Sequence, residues 1–87
     1  MNTRQILGWN LRSLRVAKGM SQERLALEAG IDRSYVGRVE RGSENVTLSR
    51  LESFAAVLGV TVVQLLTEPP TPQSFPSGLK AGRKSRA

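Results

Sequence analysis

Residues 21–42 have the sequence SQERLALEAGIDRSYVGRVERG, and this stretch decides the fold. Ser21 is a favourable N-cap residue, because its hydroxyl can accept a hydrogen bond from an amide of the first helical turn. Gly30 can adopt the positive φ at which a helix ends abruptly, and Asp32 can then cap a second helix. Apolar residues repeat at helical spacing on both sides of this turn: Leu25, Ala26 and Ala29, then Val36 and Val39. The stretch therefore predicts two short helices joined by a tight turn.

Two helices connected in this way are typical of a helix-turn-helix, whose second helix enters the major groove of DNA. Helical hairpins with a glycine turn also occur in proteins that never contact DNA, so the pair alone leaves both interpretations open. The flanking sequence adds a resemblance. Residues 22–41 resemble the helix-turn-helix of the lambda-repressor-like, xenobiotic-response-element family of bacterial and phage regulators. The resemblance covers about residues 3–66 and includes the segments Leu11–Arg15, Val39–Gly42 and Thr47–Leu66.

Three further helices are predicted to complete a compact, all-α, five-helix domain over residues 1–67. The first helix covers about residues 3–18, and its buried stripe repeats at i, i+4 and i+7: Leu7, Leu11 and Leu14. Thr47 would cap the fourth helix, and Thr61 a short fifth helix over residues 62–66. The apolar face of the fourth helix predicts its buried residues: Leu48, Leu51, Ala55 and Leu58. Trp9 lies off the first stripe, and the pattern leaves open whether it packs against the fourth helix or is partly exposed.

Residues 68–87 differ in composition and are predicted to form a flexible, basic tail. All four prolines lie between positions 69 and 76, and proline removes backbone donors and favours an extended chain. The segment carries too little apolar surface to offset the entropy of ordering. Residues 67–87 hold three of the six net positive charges. Such charge either attracts nucleic acid or merely improves solubility.

Composition excludes several classes of function. The 87 residues include no cysteine and no histidine, which removes disulfides, cysteine catalysis and the commonest general base and transition-metal ligand. No paired-carboxylate or phosphate-loop signature appears, so we expect no catalytic site, no metal and no cofactor. No apolar run reaches the ~20 residues of a membrane helix, and the N-terminus does not resemble a signal peptide. We therefore expect a non-enzymatic, cytoplasmic protein that has no membrane partner, and the family resemblance implies that it is encoded by a bacterium or a phage.

The second helix of the helix-turn-helix would contact DNA bases with its exposed N-terminal residues. The candidates for base contact are Arg33, Ser34, Tyr35 and Arg38, and the two arginines can pair with the O6 and N7 acceptors of guanine. Phosphate contact without base reading is the alternative for both arginines. Gln22 starts the preceding helix, where free amides favour a phosphate, and the family resemblance implies the same role for it. The candidates for a second phosphate lie at the end of the recognition helix and in the loop after it: Arg41, Ser43 and Asn45.

Arg15 falls beside the buried stripe of the first helix, where a charged side chain requires a partner. The family resemblance implies that this partner is Glu40, near the end of the recognition helix. The alternative is that Arg15 simply extends into solvent and forms no ion pair.

The fifth helix predicts a dimer. A short helix cannot turn all of its apolar residues inward, because successive side chains are about 100° apart, and a two-fold contact commonly covers the remainder. The family resemblance also implies dimerisation through this region, and the alternative is that the tail folds over the patch. The predicted dimer-interface residues are Val62, Val63, Leu65 and Leu66.

Together these features predict a sequence-specific transcriptional regulator. It would bind an inverted-repeat operator in double-stranded DNA as a homodimer, through the recognition helix Asp32–Arg41. Within the family, the segments Asp32–Val36 and Asn45–Leu48 resemble restriction–modification controller proteins. The alternative function is the antitoxin of a toxin–antitoxin pair, in which the tail would bind a protein toxin.

Overall fold

The computed structural model describes residues 1–70, which contain five α-helices and no strand. Helix α1 spans Thr3–Ala17, α2 spans Gln22–Ala29 and α3 spans Arg33–Glu40. Helix α4 spans Leu48–Leu58, and α5 is a single turn over Val62–Leu65. The all-α, five-helix fold predicted from the sequence is therefore confirmed. Residues 71–87, which make up most of the predicted tail, lie outside the described residues.

Side-chain caps fix where the helices begin. The hydroxyls of Ser21, Thr47 and Thr61 accept hydrogen bonds from the amides three residues later, at 2.9, 3.2 and 3.0 Å. These three predicted caps are confirmed. Asp32 occupies the N-cap position of α3, but its side chain makes no capping hydrogen bond. The prediction of a side-chain cap there is wrong: the carboxylate of Asp32 instead accepts a hydrogen bond from the hydroxyl of Ser34.

The core draws side chains from all five helices. Its largest fully buried members are Phe54, Leu11, Leu25, Leu65, Val36 and Val39. Full burial of one such aliphatic or phenyl side chain contributes about 1.5–3 kcal/mol of transfer free energy. The predicted stripe of α1 is buried at Leu7 and Leu11, whereas Leu14 is only partly buried against the core. Trp9, whose position the sequence left open, is half-buried.

Leu48 is not part of this core. Its side chain is 74% exposed, whereas the other three residues predicted on that face of α4 are buried. Leu48 is the first residue of α4, and the 100° step between helical residues places it at the edge of a buried face that extends to Phe54. The prediction that Leu48 is buried within the domain is therefore wrong.

Helices α1 and α3 approach each other closely at Gly8. A Cβ atom at this position would lie 2.6 Å from the carbonyl oxygen of Val39 and 2.7 Å from that of Glu40. Both neighbours are backbone atoms, which cannot rotate away as a flexible side chain could. Glycine at position 8 thus allows the C-terminal end of α3 to lie directly on α1.

Asn10 connects α1 to the end of α5. Its side-chain nitrogen donates to the backbone carbonyls of Leu65 and Thr67, each at 2.8 Å. Carbonyl groups at the end of a helix have no intrahelical partner, so a side-chain donor there satisfies them. The bond helps hold the single turn of α5, which is too short to be stable alone, against the first helix.

Candidate nucleic-acid interface

A left-handed glycine sets the angle between α2 and α3. Gly30 has φ 69° and ψ 36°, as the sequence predicts for a residue that ends a helix. The amide of Ile31 donates to the carbonyl of Ala26 at 2.9 Å, and the amide of Gly30 donates to that of Leu27 at 3.3 Å. This pair of bonds is the Schellman arrangement, which closes α2 and directs the chain into α3.

An open groove lies between the N-terminal end of α2 and the outer face of α3. It is lined by Gln22, Asp32, Arg33, Ser34, Gly37, Arg38 and Arg41. Five of these residues are predicted DNA contacts, and the structure brings them to one surface. Three other predicted contacts, Tyr35, Ser43 and Asn45, do not belong to this lining.

Asp32 and Ser34 form a local pair at the start of α3. The hydroxyl of Ser34 donates to the Asp32 carboxylate, and this bond lowers the pKa of the carboxyl group. Because the hydroxyl proton is held by Asp32, Ser34 presents its oxygen lone pairs to a ligand. It is therefore suited to accept a hydrogen bond, for example from the amino group of adenine or cytosine.

Tyr35 packs between two arginines and the core. The guanidinium carbons of Arg38 and Arg50 lie 5.6 and 5.0 Å from the centroid of its ring, within the range of cation–π attraction. The ring is partly buried, and burial raises the pKa of Tyr35 above its usual value. Arg50 belongs to α4 and was not predicted as a site residue. No spacing within a single helix indicates a contact between helices.

Arg38 is held by the loop that follows α3. Its Nε donates to a carboxylate oxygen of Glu44 at 2.8 Å, and both side chains are partly exposed. The hydroxyl and the amide of Ser43 both donate to the Arg38 carbonyl, at 3.1 and 3.0 Å. Sequence reasoning missed Glu44, although an acidic residue shortly after a basic helix end was a signal for such a pair.

Gln22 is linked to the buried ion pair of the domain. Glu40 accepts hydrogen bonds from Arg15 through both carboxylate oxygens, at 2.6 and 3.1 Å, and one from the side-chain nitrogen of Gln22 at 3.0 Å. The Arg15–Glu40 pair expected from the sequence is present, and the alternative of a solvated Arg15 is excluded. The bond from Gln22 to Glu40 also fixes the orientation of the Gln22 amide at the start of α2.

Gly37 leaves room in the groove for Arg41. A Cβ atom at position 37 would lie 3.3 Å from Nη1 of Arg41 and 3.8 Å from Oε1 of Gln22. Arg41 is exposed, as are Ser43 and Asn45 in the following loop. A side chain at position 37 would therefore crowd the guanidinium of Arg41 and make ordinary van der Waals contact with Gln22.

The predicted dimer-interface residues of the α5 region do not share one environment. Leu65 is fully buried in the core of its own domain, so its assignment to a dimer interface is wrong. It points inward because a single helical turn can direct only one of its residues fully against α1 and α4. Val62 is partly buried against the core, whereas Val63 is 74% and Leu66 38% exposed.

Residues 1–70 contain neither a metal-binding cluster of side chains nor a membrane-spanning helix. No group of three or more acidic, histidine or cysteine side chains in this part of the chain is placed to hold a metal ion. Among the described helices, none has the length and apolar character required to cross a membrane.

The tight turn, the exposed outer face of α3 and the arginine-lined groove define a helix-turn-helix DNA-binding domain. A family model described as helix-turn-helix matches residues 11–65 of this chain. The chain therefore belongs to the helix-turn-helix family of DNA-binding regulators, as the sequence resemblance indicated.

Known relatives agree with this assignment. A hypothetical transcription factor from Neisseria meningitidis is 52% identical over 66 residues, which cover 76% of this chain and 62% of that protein. The crystal structure of the restriction–modification controller protein C.AhdI from Aeromonas hydrophila has a TM-score of 0.69 and 48% identity, and the match covers 71% of this chain and 94% of that one. The structure of the master regulator for biofilm formation SinR in complex with DNA has a TM-score of 0.68 and 37% identity. The match covers 70% of this chain and 98% of that one. These relatives are regulators rather than enzymes.

Proposed function

We propose that this chain is a sequence-specific transcriptional regulator that binds an inverted-repeat operator in double-stranded DNA as a homodimer. The groove between α2 and α3 is the observation that carries the proposal. It brings Gln22, Arg33, Ser34, Arg38 and Arg41 to one open surface. Such a set combines donors for phosphate with donors and acceptors for base edges, which is what a recognition helix requires.

Each side chain of the proposed interface has a role set by its chemistry. Arg33 and Arg38 pair with guanine, Ser34 accepts from an amino group, and Tyr35 supports Arg38 from the inner side of the surface. Gln22 binds a phosphate at the start of α2, where free helix amides favour an anion. Arg41 and Asn45 bind phosphate on the far side. Ser43 is a poor donor for phosphate, because its hydroxyl and its amide both bind the Arg38 carbonyl.

The proposed dimer uses the exposed side chains of the α5 region. Val63 and Leu66 are large apolar residues whose surface is not covered within the described part of the chain. A two-fold contact covers such residues in both copies at once. It also places two recognition helices about one turn of DNA apart, ~34–36 Å, which accounts for an operator with two related half-sites.

The relatives narrow the biological setting. The protein C.AhdI is named a restriction–modification controller, and C.SmaI of Serratia marcescens, 46% identical over 67 residues, is named a control protein. We therefore favour a controller-like regulator acting in bacterial cytoplasm. None of these relatives is named an antitoxin, and most of the tail on which that alternative depends, residues 71–87, lies outside the described residues.

Selection of bound sequences from random double-stranded DNA tests the proposal. We expect an enriched inverted repeat whose half-site centres lie ~10–10.5 base pairs apart, or a multiple of that spacing. Each half-site should contain guanine at one or two fixed positions. Recovery of unenriched DNA at low salt, with no motif, would contradict sequence-specific binding. A single unrepeated motif would contradict the dimer.

A further inference from the structure

The guanidinium of Arg38, which lines the groove, is held in place by two neighbouring side chains. Its Nε is engaged by Glu44 at 2.8 Å, and its guanidinium lies over the ring of Tyr35. Within residues 1–70, its Nη1 and Nη2 groups make no hydrogen bond with another residue. The terminal edge of the guanidinium, which carries four of its five N–H donors, is therefore left for a ligand.

This arrangement suits one particular readout. The terminal edge of an arginine can address the O6 and N7 atoms of one guanine with two parallel hydrogen bonds. A free arginine side chain loses up to ~2 kcal/mol of rotamer entropy when it is fixed for such a contact. A guanidinium already held through Nε and packed on an aromatic ring has lost part of that freedom before DNA arrives.

We propose that Glu44 is a positioning residue that determines specificity at the Arg38 contact. It holds Nε so that the terminal edge of Arg38 is directed at one guanine of each half-site. Tyr35 supports the same guanidinium from its face, and Arg50 lies against the ring as well. Glu44 does not contact DNA in this scheme and acts only through Arg38.

Because Glu44 is negatively charged, the direction in which DNA affinity changes on its removal distinguishes a positioning role from simple repulsion. A carboxylate near the DNA-facing surface repels phosphate, so its removal should tighten binding to any DNA if repulsion were its only effect. If Glu44 positions Arg38, its removal should tighten non-specific binding yet weaken binding to the selected site. The two roles therefore predict opposite changes in affinity for the same DNA.

The experiment compares Glu44→Gln with wild type and with Glu52→Gln, which removes one exposed negative charge from α4. Affinity is measured for the selected operator, for operators altered at each guanine, and for random DNA. For Glu44→Gln we expect the operator affinity to fall about 3- to 10-fold, because a neutral acceptor replaces a charged one in the bond to Arg38. The affinity for random DNA should rise slightly. The preference at one guanine should fall, and Glu44→Gln should add nothing to that loss in an Arg38→Ala background. Glu52→Gln should keep the wild-type preference at every position.

A second readout does not involve DNA. In the free protein, the Nε–H resonance of Arg38 should be shifted and slow to exchange in wild type. Both properties should be weaker in Glu44→Gln, because the amide oxygen of glutamine is neutral and accepts a weaker hydrogen bond than the carboxylate does. The inference is overturned if that resonance is unchanged, or if Glu44→Gln binds the operator more tightly with full preference. It rests on the proposed function, and the two fail differently. A wild-type protein without any sequence preference would overturn both, whereas a selective wild type matched by Glu44→Gln would overturn this inference alone.

Discussion

Arg15 of α1 and Glu40 of α3 form a two-point ion pair, with Nε–Oε2 and Nη2–Oε1 distances of 2.6 and 3.1 Å. The two side chains are only 11% and 4% exposed. Nη1 of Arg15 also donates to the carbonyl of Met20 at 2.7 Å, so the guanidinium joins α1, the following turn and α3. Each buried charge is thus balanced by its partner, and the pair connects α1 to the recognition helix α3.

We expect Arg15→Met and Glu40→Leu each to destabilise the domain by about 3–5 kcal/mol, because each leaves a buried charge without its partner. A loss of that size is a large share of the stability of a small domain. The double variant should be more stable than either single variant, since neither charge then remains buried. Thermal and denaturant unfolding of the four proteins form a double-mutant cycle. Strictly additive losses would show that the two residues are not coupled.

Replacement of Gly8 by alanine should destabilise the domain, which is the opposite of its usual effect inside a helix. Replacing glycine by alanine inside a helix ordinarily stabilises it by about 0.5–1 kcal/mol. At position 8 the new methyl group would meet the carbonyl oxygens of Val39 and Glu40 at 2.6 and 2.7 Å. We therefore expect Gly8→Ala to destabilise the domain by about 1–3 kcal/mol, as α1 and α3 are forced apart.

The matched control for Gly8 is Arg12→Ala, which introduces alanine at an exposed position of the same helix. Its midpoint of thermal unfolding should stay close to that of wild type. A Gly8→Ala protein as stable as wild type would show that the two helices can separate at little cost.

Features that depend on neighbouring residues could be predicted from the sequence, whereas contacts between helices could not. The caps at Ser21 and Thr47 and the turn at Gly30 follow from neighbouring residues alone, and all three were predictable. Contacts between helices depend on how those helices are oriented, which a periodic pattern does not contain. The close approach at Gly8, and the pairing of Arg38 with Glu44, are of this second kind.

The wrong assignments of Leu48 and Leu65 also arise because a periodic pattern does not contain the orientation of a helix. Leu48 and Leu65 both match an apolar repeat, yet one is exposed and the other is fully buried. Period and polarity identify a helix face but not its exact centre, so residues at the edge of a face or in a single-turn helix are assigned poorly. Arg15–Glu40 was reached through family resemblance, since no local spacing joins α1 to the end of α3.

The raised pKa of Tyr35 predicts how the stability of the folded domain changes at alkaline pH. Burial of the ring raises the pKa of this phenol, so its folded-state pKa lies above the ordinary value of 10.0. The neutral phenol is favoured in the folded state, and its contribution is fully present below the unfolded-state pKa. It is lost as pH rises through the folded-state pKa. Since the chain contains one tyrosine, absorbance of the phenolate during a pH titration reports this group directly.

We expect the titration midpoint of the folded protein to lie above that of the protein in denaturant. Above pH 10, wild type should lose stability faster than Tyr35→Phe, which has no phenol to ionise. Equal midpoints in the folded and unfolded states would contradict the burial of the ring.

Arg33 and Gln22 lie in one groove but should respond differently to truncation. Arg33→Ala should reduce the preference at one base pair of each half-site and cost about 1–3 kcal/mol of binding to the operator. Gln22→Ala should weaken operator and random DNA by about the same factor, because a phosphate contact carries no sequence information. Binding titrations of both variants on both DNAs decide between the roles. Equal loss on the two DNAs for Arg33→Ala would reassign Arg33 to phosphate.

The exposed side chains of the α5 region give the last test, which concerns assembly. Val63 is 74% exposed and Leu66 38%, so aspartate at either position should be tolerated by the folded domain. In the proposed dimer the same change would bury two like charges near the two-fold axis, and the dimer should dissociate. We expect Val63→Asp and Leu66→Asp to give folded monomers that bind a single half-site weakly.

Two controls separate assembly from folding and from general surface effects. Leu65→Asp places a charge at a fully buried position and should unfold the domain. Leu27→Asp alters a similarly exposed leucine on α2, 77% exposed, and should leave the dimer intact. Circular dichroism reports folding of each variant, and sedimentation equilibrium at tens of micromolar reports its mass. A wild-type protein that sediments as a monomer while binding a complete operator tightly would show that the α5 surface is not the dimer interface in solution.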